Sequence, residues 1–521
     1  MIERSMRTHR RERIGAFGAV HTYPRCSMCN RFPHCFGITT AVEAATMKAR
    51  MPIFALTSAT AARRSTSRHG IERGWIAIAA VASLAAGMIA LVGDGAGAVA
   101  GQPSTALQMS FGKTLIEEGQ QIFRYDTFGD EALWTDQLHM NEVVAKAVSP
   151  ATALAVGIKV DLDALPQSVR DALAAGTIDL NDPAVTVTLL QLNAVVGLQG
   201  QVENIGGKDT LTRLGVTCAL CHSTVDDSFA HGIGHRLDGW PNRDLNPGAI
   251  IALSPAVPDK FKAVYNSWGP GMYDPRFNLF RDTDLDLFTG GEDPPHDRFA
   301  TVIPPAYGLA GIERETFTGD GDVEHEPVGP VAYWNRYVGV TQMGGLGYFD
   351  DPRLSAIGAA VPVDNTHNGA LPDLVTPALP ALQAYELSLA APRPPPGSYD
   401  PDAAARGKAV FEGPGRCATC HSGPRLTDAN IRLHPEDASA AANTDYVLLS
   451  ATGQWRTSPL AGVWQHAPYF HDGSAATLAD VVNAYDSKLD LQLTADQRSD
   501  LVEFLKSLPG DDIFEDGFDG G

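Results

Sequence analysis

The 521-residue chain carries 40 Lys+Arg against 61 Asp+Glu, a formal net charge of −21. That acidic excess makes nucleic acid and anionic membrane surfaces poor partners. At 44% hydrophobic and 19% charged the composition excludes a disordered chain, 51 Gly and 35 Pro point to long loops, and the length admits two or more domains with their own cores.

Residues 1–100 read as an address. Trp75 to Val92 is an apolar run preceded by Arg63, Arg64, Arg68 and Arg73, and Ala98-Val99-Ala100 follows as a cleavage pattern before Gly101. The run is long for a signal peptide, so an uncleaved membrane anchor is the alternative. Upstream, Cys26, Cys29 and Cys35 with His34 lack the second ligand pair of a zinc finger; a start at Met47 or Met51, or a tail, is preferred. Removing these hundred residues, with 13 basic and 5 acidic groups, leaves 27 against 56, near −29. Solubility accounts for such a charge, and so does steering of a basic redox partner.

Glu118-Gly119 to Phe123 opens the mature chain with a G-x-x-x-F pattern. Asp161 to Gly176 is helical in pattern, and Ala194 to Leu211 alternates around Gly206-Gly207, which predicts a hairpin. Cys218-Ala-Leu-Cys221-His222 follows, and it returns as Cys417-Ala-Thr-Cys420-His421. C-x-x-C-H is the attachment signature of c-type haem: the thiols add to the porphyrin vinyl groups and the adjacent histidine becomes the proximal iron ligand. Two matches that use every cysteine beyond residue 35 set aside a zinc or dithiol site and predict two covalent haems. Bacterial c-type haem is attached after translocation, which agrees with an export signal and a periplasmic location.

Between the motifs, Asp282-Thr-Asp284-Leu-Asp286 has the acidic spacing of a calcium loop, but Leu287 stands where the tight turn needs Gly, so a solvated loop is favoured over bound calcium. Leu382 to Leu389 reads as a terminal helix with Tyr385, and Ala391 to Ser398 is a Pro-rich linker. A second unit then begins with a helix over Asp402 to Phe411, again with Gly407 and Phe411 four apart. Here the cysteine follows Gly407 by ten residues; in the first unit Cys218 follows Gly119 by 99. The second unit closes on Leu501 to Leu508, which shares with Leu382 to Leu389 the order Leu, aromatic, Ser, Leu, after a capping box at Thr494–Gln497. Asn335-Arg-Tyr337 answers Asn483-Ala-Tyr485. The expected fold is mainly α, with two cytochrome c-like haem domains, the first enlarged by long loop and hairpin insertions. The boundaries are 101–392 for the first domain, 393–399 for the linker, 400–509 for the second and 510–521 for an acidic tail.

The face of each iron opposite its proximal histidine decides between electron transfer and catalysis. No methionine follows Met343, so the second haem has His434, His466, His471, Tyr485 or no protein ligand there. Tyr485 reads equally as a core aromatic, and His471 as a propionate or backbone contact.

Gly407-x-x-x-Phe411, Cys417 to His421, Thr457-Ser-Pro-Leu460 and Tyr469-Phe-His-Asp-Gly473, with Tyr485, resemble the C-terminal half of the bacterial di-haem cytochrome c peroxidase superfamily, which includes the methylamine-dehydrogenase maturation enzyme. The resemblance covers most of residues 401–509. It implies Tyr485 as sixth ligand of the second haem, where the maturation enzyme has a tyrosine. Ile233-Gly-His235 and Asn242 resemble the stretch whose histidine caps the catalytic iron, which implies His235 as distal ligand and catalytic residue. The family's Phe-Trp-Asp-Gly is replaced by Phe317-Thr-Gly-Asp-Gly321, so its bridging tryptophan is missing, with Trp268 and Trp334 as candidate substitutes. Its peroxidatic glutamate is not located; Glu324 and Glu326 are near without matching. The insertions are also similar to those of the haem-containing rubber oxygenases. The family implies a peroxidase fed by a small cytochrome c or cupredoxin and acting on a small oxidant. A pure electron carrier with six-coordinate irons and an oxygenase acting on an organic substrate are the alternatives.

Overall fold

The protein is described from a computed structural model, over residues 105–508 except 276, 279–284, 287–299 and 360. The leader with Cys26, Cys29 and Cys35, the acidic positions Asp282 and Asp284, and the acidic tail lie outside the described residues. No helix among the described residues is long and apolar enough to cross a membrane.

The fold is mostly helical. Its longer α-helices are α1 (Thr105–Tyr125), α2 (Met140–Ala147), α3 (Gln167–Ala174), α4 (Pro183–Gln191), α5 (Asp259–Trp268), α6 (Pro330–Thr341), α7 (Leu379–Leu387), α8 (Pro401–Glu412), α9 (Leu478–Leu489) and α10 (Ala495–Ser507). Side chains that spare backbone donors start many of them. Asp182 and Asp400 cap α4 and α8 ahead of a proline, and Thr477 and Thr494 form capping boxes with Asp480 and Gln497. The segment predicted helical over Asp161 to Gly176 holds only α3 and a 3₁₀ turn at Leu162–Ala164, because Pro166 separates them.

The one long sheet is the predicted hairpin, β1 (Leu198–Ile205) against β2 (Lys208–Val216), which runs further than the Ala194–Leu211 pattern. Gly206 and Gly207 both take positive φ, 63° and 84°, which a two-residue hairpin turn needs. The inner end of β2 is buried and delivers the chain to Cys218. The other described strands are two or three residues long.

Opening and closing helices cross in the same way in both halves of the chain. A Cβ on Gly119 of α1 would lie 2.0 Å from the Ala381 carbonyl oxygen of α7; one on Gly407 of α8 would lie 2.0 Å from that of Asp500 of α10. Only glycine permits so close an approach. Four residues on, Phe123 meets Tyr385 edge to face at 5.4 Å, and Phe411 meets Phe504 at 5.1 Å. This geometry fixes the repeat register: Tyr385 corresponds to Phe504, and Glu386 to Leu505.

One apolar core runs from Phe123 to Tyr385, and a second gathers Val410, Phe411, Leu478, Leu501 and Leu505. A small third cluster, Tyr446, Val447 and Trp455 with Phe317, joins residues from the two halves. The described residues belong to one compact unit. Contacts between the halves include Arg456 on Glu315, Asn430 with the Gly311 carbonyl, and the Val302 amide donating to the His471 carbonyl.

Candidate functional site

The first motif makes a single helical turn, Ala219–His222, between β2 and a short strand. His222 is enclosed, and its Nδ1–H donates to the Pro304 carbonyl at 3.1 Å. Burial, assisted by the nearby Arg243 charge, pushes the imidazole down to about 4, so it is neutral at pH 7. With Nδ1 occupied, Nε2 presents its lone pair, the arrangement that orients a metal-binding histidine. Burial also raises both thiols: Cys221 to about 12, and Cys218 well above its ordinary value, with the help of Glu386 and Asp126. A thiolate centre is therefore unsuited to this pair.

The second motif repeats the device. Cys417–Thr419 form a 3₁₀ turn, and the His421 Nδ1–H donates to the Leu426 carbonyl at 3.0 Å. Burial lowers its imidazole and raises Cys417 to about 11. Each motif thus offers two cysteine sulfurs and one neutral, oriented Nε2, the donor set of a c-type haem. Arg243 adds an independent sign of fit. Its Nη2 donates to the His466 carbonyl at 2.8 Å, while Nε and Nη1 are buried without a hydrogen-bond partner among the described residues. Burial lowers this guanidinium to about 10. A cation so placed suits an anionic edge such as a haem propionate.

The other sequence candidates fall into distinct surroundings. Tyr485 lies half-buried on α9 near Cys417 and Cys420; desolvation raises its phenol, opposed by a hydrogen bond from the Ala440 backbone. Its repeat counterpart Tyr337 donates instead to the Pro275 carbonyl at 2.6 Å. His235 is exposed, with Nδ1 2.9 Å from Asp163 Oδ2, and that hydrogen bond raises its pKa. His471 is buried in an aromatic box of Trp455 (4.7 Å), Tyr446 (5.0 Å) and Phe317 (6.2 Å). His466 is enclosed, and burial takes it down to about 3. His434 Nε2 sits 3.0 Å from Asp428 Oδ1; Cys420 lies within 4.8 Å of both, but its sulfur belongs to the second motif, so two ligands remain for an added ion.

Tryptophans meet between the halves at a place that spacing did not indicate. Trp240 and Trp464 lie edge to face at 6.1 Å, with Tyr307 6.4 Å from Trp240. Trp268 packs on Tyr265, and Trp334 stacks on Tyr337. Glu324 and Glu326 are accounted for locally: Glu326 holds Arg336 at 2.6 Å, and the Glu324 amide binds Asp322. The carboxyl beside the first motif is Glu386, 3% exposed, which accepts from Asn335 Nδ2 at 2.8 Å. Burial, the largest cause, raises it to about 8, and Glu315 adds to the shift. Its signal in the sequence is the contrast with Leu505 in the aligned closing helix.

Residues 454–489, which include Trp455, His471 and Tyr485, match the family model "RoxA-like, cytochrome c-like". Three curated proteins are similar over part of their length. Cytochrome-c peroxidase IdrP1 of Pseudomonas sp. (strain SCT) is 30% identical over 147 residues, 20% of this chain and 39% of that protein. The methylamine utilization protein MauG of Methylophilus methylotrophus is 31% identical over 125 residues, 21% and 37%. Cytochrome c551 peroxidase of Nitrosomonas europaea is 32% identical over 110 residues, 20% and 33%. The chain is a relative of the di-haem cytochrome c peroxidases. It spans less than half the length of these curated superfamily members. A MauG-like protein associated with microbial copper homeostasis aligns in structure with a TM-score of 0.29 and 20% identity, over 46% of this chain and 80% of that one.

Proposed function

We propose that the chain is an exported di-haem c-type cytochrome oxidoreductase. One haem is held by Cys218, Cys221 and His222, the other by Cys417, Cys420 and His421. With haem bound at both motifs, a small cytochrome c or cupredoxin would supply electrons at the second motif and hydrogen peroxide would be reduced at the first. The observation that carries this reading is a shared proximal geometry with unlike surroundings. Both histidines are neutral and oriented by a backbone carbonyl; a half-buried tyrosine, Tyr485, lies beside the cysteines of the second motif, and a buried carboxyl, Glu386, lies beside Cys218 of the first.

Haem iron, when bound, supplies one-electron chemistry and a coordination position for the oxidant. The chain's own residues do the rest. Pro304 and Leu426 hold the ligand histidines in one tautomer, Arg243 balances negative charge between the halves, and Tyr485 would ligate an iron held at the second site. His235 serves the first site as gate, leaving Asp163 to do so; His471 braces the box between the halves. The leader pattern supports a periplasmic location, and the acidic surface suits a basic donor.

A ferric absorption spectrum tests the proposal. A high-spin component that responds to peroxide is expected from the first haem. Two low-spin haems indifferent to cyanide and peroxide would establish the electron carrier instead, and an oxidised organic product formed with oxygen alone would establish the oxygenase.

A further inference from the structure

Glu386 stands at a position where the second half of the chain has a leucine. The register is fixed in space by the two glycine crossings, and both side chains are buried, Glu386 at 3% and Leu505 at 7%. A leucine is what the packing of a closing helix against its opening helix asks for. A carboxyl in that place has a cost unless it is neutral or well paired. Here its hydrogen-bond partner is the neutral amide of Asn335 on α6, 2.8 Å away.

Among the described residues, the charged groups around it are already paired. Glu315 faces it and is already matched by Arg456 at 2.6 Å. On α6, Arg336 next to Asn335 is engaged by Glu326 at 2.6 Å. At the end of α1, Arg124 is held by Asp238 at 2.5 Å, with Tyr385 on the same carboxylate. Toward the motif lie Cys218 and Asp126, the one an attachment sulfur and the other an acid. Glu386 is therefore a buried carboxyl beside Cys218 of the first motif, and among the described residues no cation acts on it.

We propose that Glu386 is the proton-accepting group of the first haem pocket, taking a proton from solvent when the pocket gains an electron. The inference rests on the reading that both motifs carry haem. The balance is simple: one electron enters from the reductant, one proton from water converts carboxylate to carboxylic acid, and no other bond changes. Leu505 gives the second pocket no such coupling. Burial holds the Glu386 carboxyl at about 8, so below that pH it is protonated in either redox state, and coupling is expected above it.

The test is a spectroelectrochemical titration of the mature holoprotein from pH 6 to pH 10, after its haem content has been measured by intact mass. Two one-electron waves are expected, one falling by about 59 mV per pH unit above pH ~8, a tenfold change in proton activity, and the other flat. In Glu386→Gln, which keeps the shape and the Asn335 contact, both waves should be flat in that range. Glu386→Leu, which installs the residue of the other half, should do the same and guards against a folding defect in the first variant. A slope that persists in both variants overturns the role of Glu386, as does its absence from the wild type. A product with fewer than two haems overturns the two-haem reading, and this inference with it.

Discussion

Arg456 Nη1 lies 2.6 Å from Glu315 Oε2, and both side chains are only 8% exposed. The pair ties the two halves of the chain together where water cannot screen it. Removing one member of a buried pair costs about 3–5 kcal/mol, whereas replacing both by apolar groups is often neutral. Arg456→Leu is expected to lower the unfolding free energy by about that amount, and Glu315→Leu combined with it to recover most of the loss. Burial already holds Glu315 above its ordinary range despite the Arg456 charge, so the single variant's deficit should shrink as the pH is lowered. Denaturant unfolding of the set measures all of this; a single variant as stable as wild type would rule out a desolvated pair.

Gly119→Ala and Gly407→Ala should each destabilise the chain, because the new methyl meets a helix carbonyl at 2.0 Å in both crossings. Overpacking of this kind costs about 1–3 kcal/mol. Equal thermal midpoints for wild type and variants would show that the crossings are looser than described.

What the sequence made legible was local. The Gly206-Gly207 turn and the Thr494 capping box each depend on residues a few positions apart, and each forms as expected, while each C-x-x-C-H sits on a short helical turn. Gly119 and Gly407 recur at one spacing from their phenylalanines, and in both halves that glycine lies where the opening and closing helices cross. What stayed hidden was set by long loops. Trp240 and Trp464 are 224 positions apart in the numbering and meet only when the halves fold together, and spacing could not choose among the tryptophans. Glu386 was invisible for a different reason: a glutamate next to a tyrosine on a short helix reads as a surface residue until its burial is known.

Stability should carry the signature of Glu386. Burial holds its carboxyl at about 8, above the 4.5 of a free glutamate. The folded chain therefore keeps a proton that the unfolded chain releases across that window. The stability this contributes is fully present below pH 4.5 and drains as pH rises to about 8, by up to about 1.4 kcal/mol per pH unit. Glu386→Gln lacks the titration, so its stability relative to wild type should rise with pH between those limits. Parallel pH profiles in urea would contradict the burial of this carboxyl.

Tyr485 and Tyr337 hold matching positions in the two halves, but Tyr337 is committed to the Pro275 carbonyl and Tyr485 lies beside the second motif's cysteines. Tyr485→Phe should shift the absorption band and potential of one haem, while Tyr337→Phe should leave both positions and cost about 1 kcal/mol of stability for its lost hydrogen bond. Unchanged spectra in Tyr485→Phe would remove it as a ligand.

The most direct measurement is the intact mass of the mature protein made in a host able to attach c-type haem, read with its Soret absorbance. Two haems are predicted on the wild type, one on Cys218→Ser/Cys221→Ser and one on Cys417→Ser/Cys420→Ser. A wild-type mass equal to that of the bare polypeptide, with no Soret band, would contradict the account.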